Sequence, residues 1–179
     1  REKYLENPEI RKKLEENGAI GAVCYGKVYR KDEIDWQHSN VLHHFDCLMV
    51  CRKDIKEITQ TDLENICSEV TTSLLGNEME KEFRVDHFPY TDPSVEMNIK
   101  WGEKWVEVNG AGLVHPQVFK NLGLDPEIYN GWAFGFGVDR LAMLKMKIPD
   151  IRLLWSKDER VTKQLKNIKR DSSRHAYIA

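Results

Sequence analysis

Residues 95–112, VEMNIKWGEKWVEVNGAG, decide the fold that the sequence predicts. The first half of this stretch alternates apolar with polar residues, and a period of two is typical of a strand with one buried face. Gly102 and Glu103 provide a tight turn, after which residues 104–112 run back as a second strand. The stretch therefore predicts an antiparallel hairpin rather than the crossover unit of a parallel sheet.

The segments on either side of the hairpin continue this pattern. Residues 19–30 and 41–51 are rich in β-branched and aromatic residues and predict two more strands joined by a polar loop. Residues 83–88 and 132–135 predict the remaining strands. The expected helices run from Asn7 and Pro8 to Gly18, from a capping-box pair Thr61 and Glu64 to Gly76, from Pro116, from Pro126, and over residues 138–147. The sum is an α+β fold, an antiparallel β-sheet flanked by helices.

Length and composition limit the classes of protein that fit. A chain of 179 residues with 41% hydrophobic content suits one domain, which we expect to span residues 1–179. The formal net charge of −2 argues against bulk electrostatic capture of nucleic acid, so any RNA contact should be local. No apolar run or signal peptide is visible, and we expect a cytosolic or organellar protein without a membrane span. The cysteines lack paired spacing and are expected to be buried thiols: Cys24, Cys47, Cys51 and Cys67.

Glycines cluster where the last strand is predicted to meet a helix, at Gly131, Gly135 and Gly137. Glycine lets a flat ligand approach the backbone closely, and Arg140 follows on the first turn of the predicted helix. Arg30 ends an earlier predicted strand, so two arginines from separate elements could bind a polyphosphate. Spacing alone leaves the alternatives open, because glycines at strand ends are often structural and arginines often form surface ion pairs.

Carboxylates on the predicted hairpin are candidates for a metal site. By alternation Glu107 shares a face with Trp105 and Asn109, and Glu96 lies on the polar face of the preceding strand. Facing carboxylates on adjacent strands can hold Mg²⁺ between themselves and substrate phosphates. A solvated polar face explains the same pattern, and the residues do not decide between the two.

Several ordered segments resemble the catalytic subunit of the phenylalanyl-tRNA synthetase family, within the class II aminoacyl-tRNA synthetases. Residues 26–30 (GKVYR), followed by Ile34, Asp35 and His38, resemble its motif 2, and residues 131–143 (GWAFGFGVDRLAM) resemble motif 3. The other similar segments are residues 88–90 (FPY), 92–96 (DPSVE), 105–107 (WVE), 110–116 (GAGLVHP) and 148–152 (IPDIR). The resemblance covers roughly the second half of the chain together with motif 2.

The resemblance implies ATP-dependent activation of phenylalanine and its transfer to tRNA(Phe), with Mg²⁺ assisting. It implies that Arg30 holds the α-phosphate and the activated carboxyl group, and that Arg140 lies over the adenine and reaches the γ-phosphate. Glu107 matches an acidic residue near the ATP and the metal. With the residue-based candidates, the expected ATP and metal site comprises Arg30, Leu42, Glu96, Glu107, Gly135, Gly137 and Arg140. The phenylalanine ring pocket falls on Phe88, Tyr90 and Ala133.

The chain departs from the family on one strand. The family usually carries Phe-His-Gln-x-Glu there, where the phenylalanine stacks on adenine and the Gln and Glu bind the substrate amino group. Leu42, His44 and Asp46 stand in those three places, all on one strand face. We therefore keep two alternatives, a paralogue that activates another amino acid and a non-catalytic binding module.

The family also implies parts beyond these residues. Its motif 1 and His-Thr-Ser region would lie before Arg1, so we expect an incomplete active site and an oligomer with a β subunit or additional domains of the parent chain. The basic stretch from Val161, which includes Lys163 and Lys166, is a candidate for tRNA contact or a solvated tail.

Overall fold

The computed structural model describes residues 7–31 and 33–167. Its helices are α1 (Pro8–Asn17), α2 (Gln60–Leu75), α3 (Pro116–Asn121), α4 (Val138–Met146) and α5 (Glu159–Asn167), with a 3₁₀ helix at Ile151–Trp155. Its strands are β1 (Ala19–Tyr29), β2 (Val41–Arg52), β3 (Lys81–Phe88), β4 (Thr91–Trp101), β5 (Lys104–Val114) and β6 (Tyr129–Gly137). All the strands that the sequence predicts are therefore present.

The strands form one six-stranded antiparallel sheet in the order β1-β2-β6-β5-β4-β3. The β4–β5 hairpin turns at Gly102, whose φ of 61° lies in the region that favours glycine. Strand β6, the last in sequence, lies between β2 and β5. The predicted α+β fold, with an antiparallel sheet flanked by helices, is confirmed.

Strand β6 places its large side chains on one face of the sheet and its small residues on the other. Trp132, Phe134 and Phe136 alternate with Ala133 and with glycines such as Gly135. Phe134 and Phe136 are 4% and 0% exposed and pack in the core cluster to which α2 and α4 contribute. The small residues leave the other face shallow along the middle of the sheet. That face is partly covered by α1 and α3, which contribute Leu14 and Phe119 to a second buried cluster.

The start of α2 corrects one prediction. Thr59, rather than Thr61, is the N-cap: its hydroxyl accepts a hydrogen bond from the Asp62 N–H, and the Asp62 carboxylate accepts one from the Thr59 N–H. The expected pair of Thr61 and Glu64 is therefore wrong by two residues. An aspartate three residues after the cap closes the same box as a glutamate. The end of the helix at Gly76 agrees with the prediction.

Three further expectations differ from the structure. The chain at Pro126 is a turn rather than a helix, because β6 begins only three residues later at Tyr129. Cys24 is exposed, since β1 lies at the sheet edge, whereas the other cysteines are buried as expected. The basic stretch from Val161 begins inside α5, and residues 168–179 lie outside the described residues. None of the described helices is long and apolar enough to cross a membrane.

Candidate active site

A cavity of about 850 Å³ opens on the small-residue face of the sheet. The predicted site residues that line it are Arg30, Leu42, His44, Asp46, Phe88, Tyr90, Glu107, Ala133, Gly135, Gly137 and Arg140. Glu96 lies outside the lining, and its Oε1 accepts a hydrogen bond from Asn98 Nδ2 at 2.9 Å. The structure thus brings together residues from both halves of the chain, with Glu96 as the exception.

The cavity has a charged end and an apolar end. Arginines, carboxylates and histidines line the first, and the second is closed by side chains that the sequence did not single out: Leu48, Val50, Val114, Val118, Phe119 and Leu122. Leu48 and Val50 continue the alternation that begins at His44 and Asp46, which was a signal available in the sequence. The residues from α3 carried no such signal, because their position depends on how the helix packs over the sheet. A cavity of this mixed character suits a ligand that is charged at one end and apolar at the other.

Arg140 is fixed at the charged end by three hydrogen bonds. Its Nε donates to the Gln37 carbonyl at 3.0 Å, and its Nη1 donates to the Glu107 carbonyl at 2.8 Å and to Glu107 Oε2 at 3.1 Å. The Arg140 side chain is 17% exposed, so this guanidinium is held in one orientation rather than swinging in solvent. Since Arg140 stands in the first turn of α4, the helix and the loop before β2 position the same cation.

The loop that carries Gln37 is ordered by a carboxylate. Asp35 Oδ1 accepts hydrogen bonds from the Gln37 and His38 N–H groups at 2.8 Å, and His38 Nδ1 lies 2.8 Å from both carboxylate oxygens. Burial raises the pKa of the Asp35 carboxyl, but the hydrogen bonds from Gln37 and His38 outweigh it, so the pKa lies below its usual value. Asp35 therefore stabilises the backbone turn that presents the Gln37 carbonyl to Arg140.

His44 and Asp46 lie together on the floor of the cavity. His44 Nδ1 and Asp46 Oδ1 are 3.8 Å apart, and both side chains are partly buried. Directly across the sheet stands Gly135, where an added Cβ would approach Asp46 Oδ1 to 2.3 Å. Because residue 135 has no side chain, the Asp46 carboxylate can occupy the space above it. The prediction that His44 and Asp46 share a face with Leu42 is confirmed.

The rings of Phe88 and Tyr90 line the cavity where β3 turns into β4. Their centroids are 6.2 Å apart at an interplanar angle of 12°. A Cβ at Gly110 would come within 2.9 Å of the Phe88 ring, so the glycine allows that ring to lie over β5. Ala133 is 4% exposed. Two flat rings and a methyl group form the kind of wall against which an apolar ring packs.

The register between β4 and β5 does not pair the two candidate carboxylates with each other. Asn98 pairs with Glu107 and Met97 pairs with Asn109, so Val108 is an extra residue. Glu96 lies opposite Gly110, which makes the expectation that Glu96 and Glu107 face each other wrong. Among the described residues no group of three or more carboxylate, histidine or cysteine side chains could hold a metal ion.

Two buried polar residues near the cavity were not in the predicted site. Asp139 is 8% exposed and accepts a hydrogen bond from the His43 N–H, which ties the first turn of α4 to β2. Asn109 is 1% exposed; its Nδ2 donates to the Gly135 carbonyl at 3.3 Å, while its Oδ1 is buried without a partner within residues 7–31 and 33–167. An unpaired buried oxygen costs about 1–3 kcal/mol, so a water or a ligand donor at Asn109 would be favourable.

Residues 8–165 match the family model described as tRNA synthetases class II core domain (F). The chain belongs to this family. The chain is similar to the phenylalanine–tRNA ligase alpha subunit of Clostridium perfringens strain SM101, with 42% identity over 157 residues, and to that of Clostridium botulinum strain Langeland, with 39% identity over 168 residues. These alignments cover 81% and 87% of this chain but 45% and 48% of the relatives. The chain thus spans about half the length of the curated relatives it matches.

Proposed function

We propose that the chain forms the catalytic core of a phenylalanine–tRNA ligase, which activates phenylalanine with ATP and transfers it to tRNA(Phe). The observation that carries the proposal is that one cavity combines a fixed arginine at one end with an aromatic wall at the other. The ring of phenylalanine suits the apolar end, and the polyphosphate of ATP suits the charged end. The reacting carboxylate and α-phosphate would then meet between them.

The charged end supplies stabilisation rather than proton transfer. The attacking group is a carboxylate that is already ionised, so its oxygen can bond to the α-phosphorus as pyrophosphate leaves, with no general base. In this mechanism Arg30 neutralises charge on the α-phosphate, and Arg140 binds the adenine face and the γ-phosphate. Arg140 is already fixed by Gln37 and Glu107, so little reorganisation is required as charge develops.

The residues at the charged end could also hold a magnesium ion that binds together with ATP. Mg²⁺ is commonly held by one or two carboxylates together with substrate phosphates and water, and Glu107 offers one half-exposed carboxylate at the charged end. A bound ion would neutralise phosphate charge during the displacement. Glu96 is hydrogen-bonded to Asn98 outside the cavity and takes no part in the proposed metal site.

In the proposed complex the apolar end selects the amino acid. Phe88, Tyr90 and Ala133 contact the ring, and His44 and Asp46 lie on the face where the amino group binds. Asp46 supplies the negative charge for an ammonium group, and a neutral His44 can accept one of its hydrogen bonds. Leu42 would contact the adenine without the stacking that an aromatic ring provides. tRNA, an oligomeric assembly and a β subunit or further domains complete the proposed enzyme.

The direct test is amino acid-dependent pyrophosphate exchange by the full-length protein with its partner subunit. We expect Arg140→Ala to abolish exchange with phenylalanine, because the guanidinium that contacts the phosphates is lost. Arg152→Ala is the matched control, since Arg152 is an exposed arginine paired with Asp150 outside the cavity lining, and its exchange should be unchanged. Normal exchange in Arg140→Ala would rule out the role given to that residue.

The unusual face of β2 supports a second candidate, a paralogue that activates another amino acid. The double variant His44→Gln with Asp46→Glu restores the residues expected of a phenylalanine enzyme. If phenylalanine is the natural substrate, the wild type should give exchange with phenylalanine alone in a panel of amino acids. A wild type that is silent with phenylalanine, and a double variant that is active, would favour the paralogue. ATP binding by calorimetry without exchange in either protein would favour a non-catalytic module.

A further inference from the structure

Trp36 lies in the loop between β1 and β2, one residue before the carbonyl group that binds Arg140. Its side chain is half-buried, packs against the main core cluster and lies outside the cavity lining. Its own carbonyl oxygen accepts a hydrogen bond from the Ile151 N–H at 2.8 Å, at the start of the 3₁₀ helix. The backbone just before Gln37 is therefore fixed to a second element of the fold.

The ring of Trp36 is held by the turn of the β4–β5 hairpin. It stacks on Trp101, the last residue of β4, with ring centroids 6.3 Å apart and an interplanar angle of 24°. Lys104 is the first residue of β5, and its Nζ lies 4.4 Å from the centroid of the Trp36 ring. An aromatic pair and a cation over an aromatic face are both favourable contacts. A hairpin that is distant in sequence thus holds the loop beside Gln37.

The Trp36 contacts do something that the other contacts of the loop do not. The Asp35 carboxylate orders the turn from within the loop, through hydrogen bonds to the next residues, and these bonds do not attach it to the sheet. Trp36 supplies that attachment. Because the Gln37 carbonyl accepts from Arg140 Nε at 3.0 Å, a shift of the loop would move this acceptor away from the guanidinium.

We propose that Trp36 is a positioning residue for ATP, which acts through the Gln37 carbonyl and Arg140 without touching the nucleotide. The inference rests on the proposed function, in which Arg140 binds the adenine face and the γ-phosphate. A site that is ordered before the ligand arrives binds more tightly, because less freedom is lost on binding. An anchored loop should therefore raise the affinity for ATP. Phenylalanine takes the other end of the cavity, and its binding should not depend on the anchor.

The first test measures the affinity for ATP with Mg²⁺ by calorimetry, in the full-length protein with its partner subunit. We expect Trp36→Ala to raise the Kd for ATP by about tenfold, since an aromatic pair and a cation–π contact are both lost. Trp36→Phe keeps a ring against Trp101 and should stay within about threefold of the wild type. Lys104→Met, which removes only the charge, should raise the Kd by about two- to threefold.

Trp105→Ala is the matched control. Trp105 belongs to the same hairpin and pairs with Lys100, so it lies on the opposite face from the Trp101 and Lys104 pair. The Arg84 guanidinium carbon and Lys100 Nζ lie 6.0 and 5.9 Å from its ring centroid. The variant therefore removes a tryptophan and two cation contacts while the loop contacts stay in place. Its Kd for ATP should be unchanged.

The second test follows hydrogen exchange of the loop by mass spectrometry in the absence of ATP. The Gln37 and His38 N–H groups donate to Asp35 Oδ1 at 2.8 Å. Peptides that contain them should exchange faster in Trp36→Ala than in the wild type, because the turn opens more often once it is detached from the hairpin. Trp105→Ala should exchange at the wild-type rate. This measurement needs neither substrate nor activity, so it tests the anchor separately from the proposed function.

A third readout separates the two substrates. In pyrophosphate exchange Trp36→Ala should raise the KM for ATP, while the KM for phenylalanine at saturating ATP stays at the wild-type value. A ring that only filled space in the core would lower stability and leave this ratio unchanged. Circular dichroism on each variant establishes that the fold is kept. Lys104 is exposed, so Lys104→Met keeps the test available if Trp36→Ala does not fold.

Three outcomes would overturn the inference. The first is a wild type that binds ATP and a Trp36→Ala variant that binds it equally well. The second is a Kd that rises by the same factor in Trp36→Ala and Trp105→Ala, which would assign the effect to a general loss of packing. The third is loop exchange that Trp36→Ala leaves unchanged. A wild type that binds no ATP would contradict the proposed function, and the loop exchange would still decide whether the anchor exists.

Discussion

The two faces of β6 show how one strand serves both stability and ligand binding. On one face Phe134 and Phe136 fill the core, and on the other Ala133 and Gly135 leave space for the cavity. The strand GWAFGFG alternates large and small residues with the period of the pleat. One face packs against the core and the other lines the cavity, so substitutions on the two faces should affect different properties of the protein. A large residue lost from one face should lower stability, and a group added on the other should weaken ligand binding.

The largest effect is expected for Phe136→Ala. Phe136 is fully buried and stacks on Phe45 with ring centroids 5.5 Å apart. Removing such a ring from a core typically lowers the free energy of unfolding by about 3–5 kcal/mol. Urea denaturation of the wild type and the variant measures this difference. Val85→Ala, at a position that is 91% exposed, should change stability by less than about 0.5 kcal/mol.

On the other face, Ala133→Val should affect the ligand more than the fold. Ala133 lines the apolar end of the cavity, where extra methyl groups would occupy the space proposed for the substrate ring. Overpacking of this kind costs about 1–3 kcal/mol, which corresponds to a loss of roughly fivefold or more in kcat/KM for phenylalanine. Exchange kinetics at varied phenylalanine concentration measure it. An unchanged kcat/KM would place the ring elsewhere in the cavity.

A smaller effect is expected for Gly135→Ala. The new methyl group would meet Asp46 Oδ1, the end of a side chain that can shift, so the fold should tolerate it. The displaced carboxylate should bind the amino group less well and raise the KM for phenylalanine, by about tenfold for each 1.4 kcal/mol lost. Gly26→Ala, where an added Cβ meets open space, is the control that should leave KM unchanged. Equal KM values in both variants would contradict the place given to Asp46.

The smallest effect concerns the loop that anchors Arg140. The pKa of Asp35 is lowered in the folded protein, so its contribution to stability is present above the unfolded value of about 3.9 and is lost as pH falls through the folded pKa. The melting temperature of the wild type should exceed that of Asp35→Asn near pH 6. The difference should shrink as the pH falls below about 4. A gap that is constant from pH 3 to pH 7 would mean that the ionised carboxylate contributes nothing.

The sequence predicted the sheet well because alternation and turn residues are local signals. The hairpin at Gly102 and the strands on both sides of it follow directly from periodicity, and the cavity face of β2 follows from the spacing of His44 and Asp46. The bulge at Val108 could not be predicted, because its cause is the pairing of β5 with β4 rather than a local residue preference. The expectation that Glu96 faces Glu107 fails for a different reason, because the turn at Gly102 already places Glu107 opposite Asn98.

The site was predicted in two ways. Arg30, Arg140 and the glycines of β6 were candidates from their positions in the sequence, and the resemblance assigned their roles. Phe88, Tyr90 and Ala133 came from the resemblance alone, and the structure gathers all of these residues around one cavity. The apolar end depends on α3, whose Phe119 reaches the cavity only after the helix packs over the sheet. Tertiary contacts of this type leave no trace in the spacing of residues along the chain.

The way Arg140 is held has a consequence for divergence of the sequence. Two of its three hydrogen bonds go to backbone carbonyls, those of Gln37 and Glu107, which every amino acid possesses. The side chain at position 37 can therefore differ among related proteins without moving the Arg140 guanidinium, provided that the backbone turn around it is kept. We expect the loop to vary in composition while the guanidinium keeps its place. What must be kept is the path of the main chain, which places the two carbonyl groups within reach of Arg140.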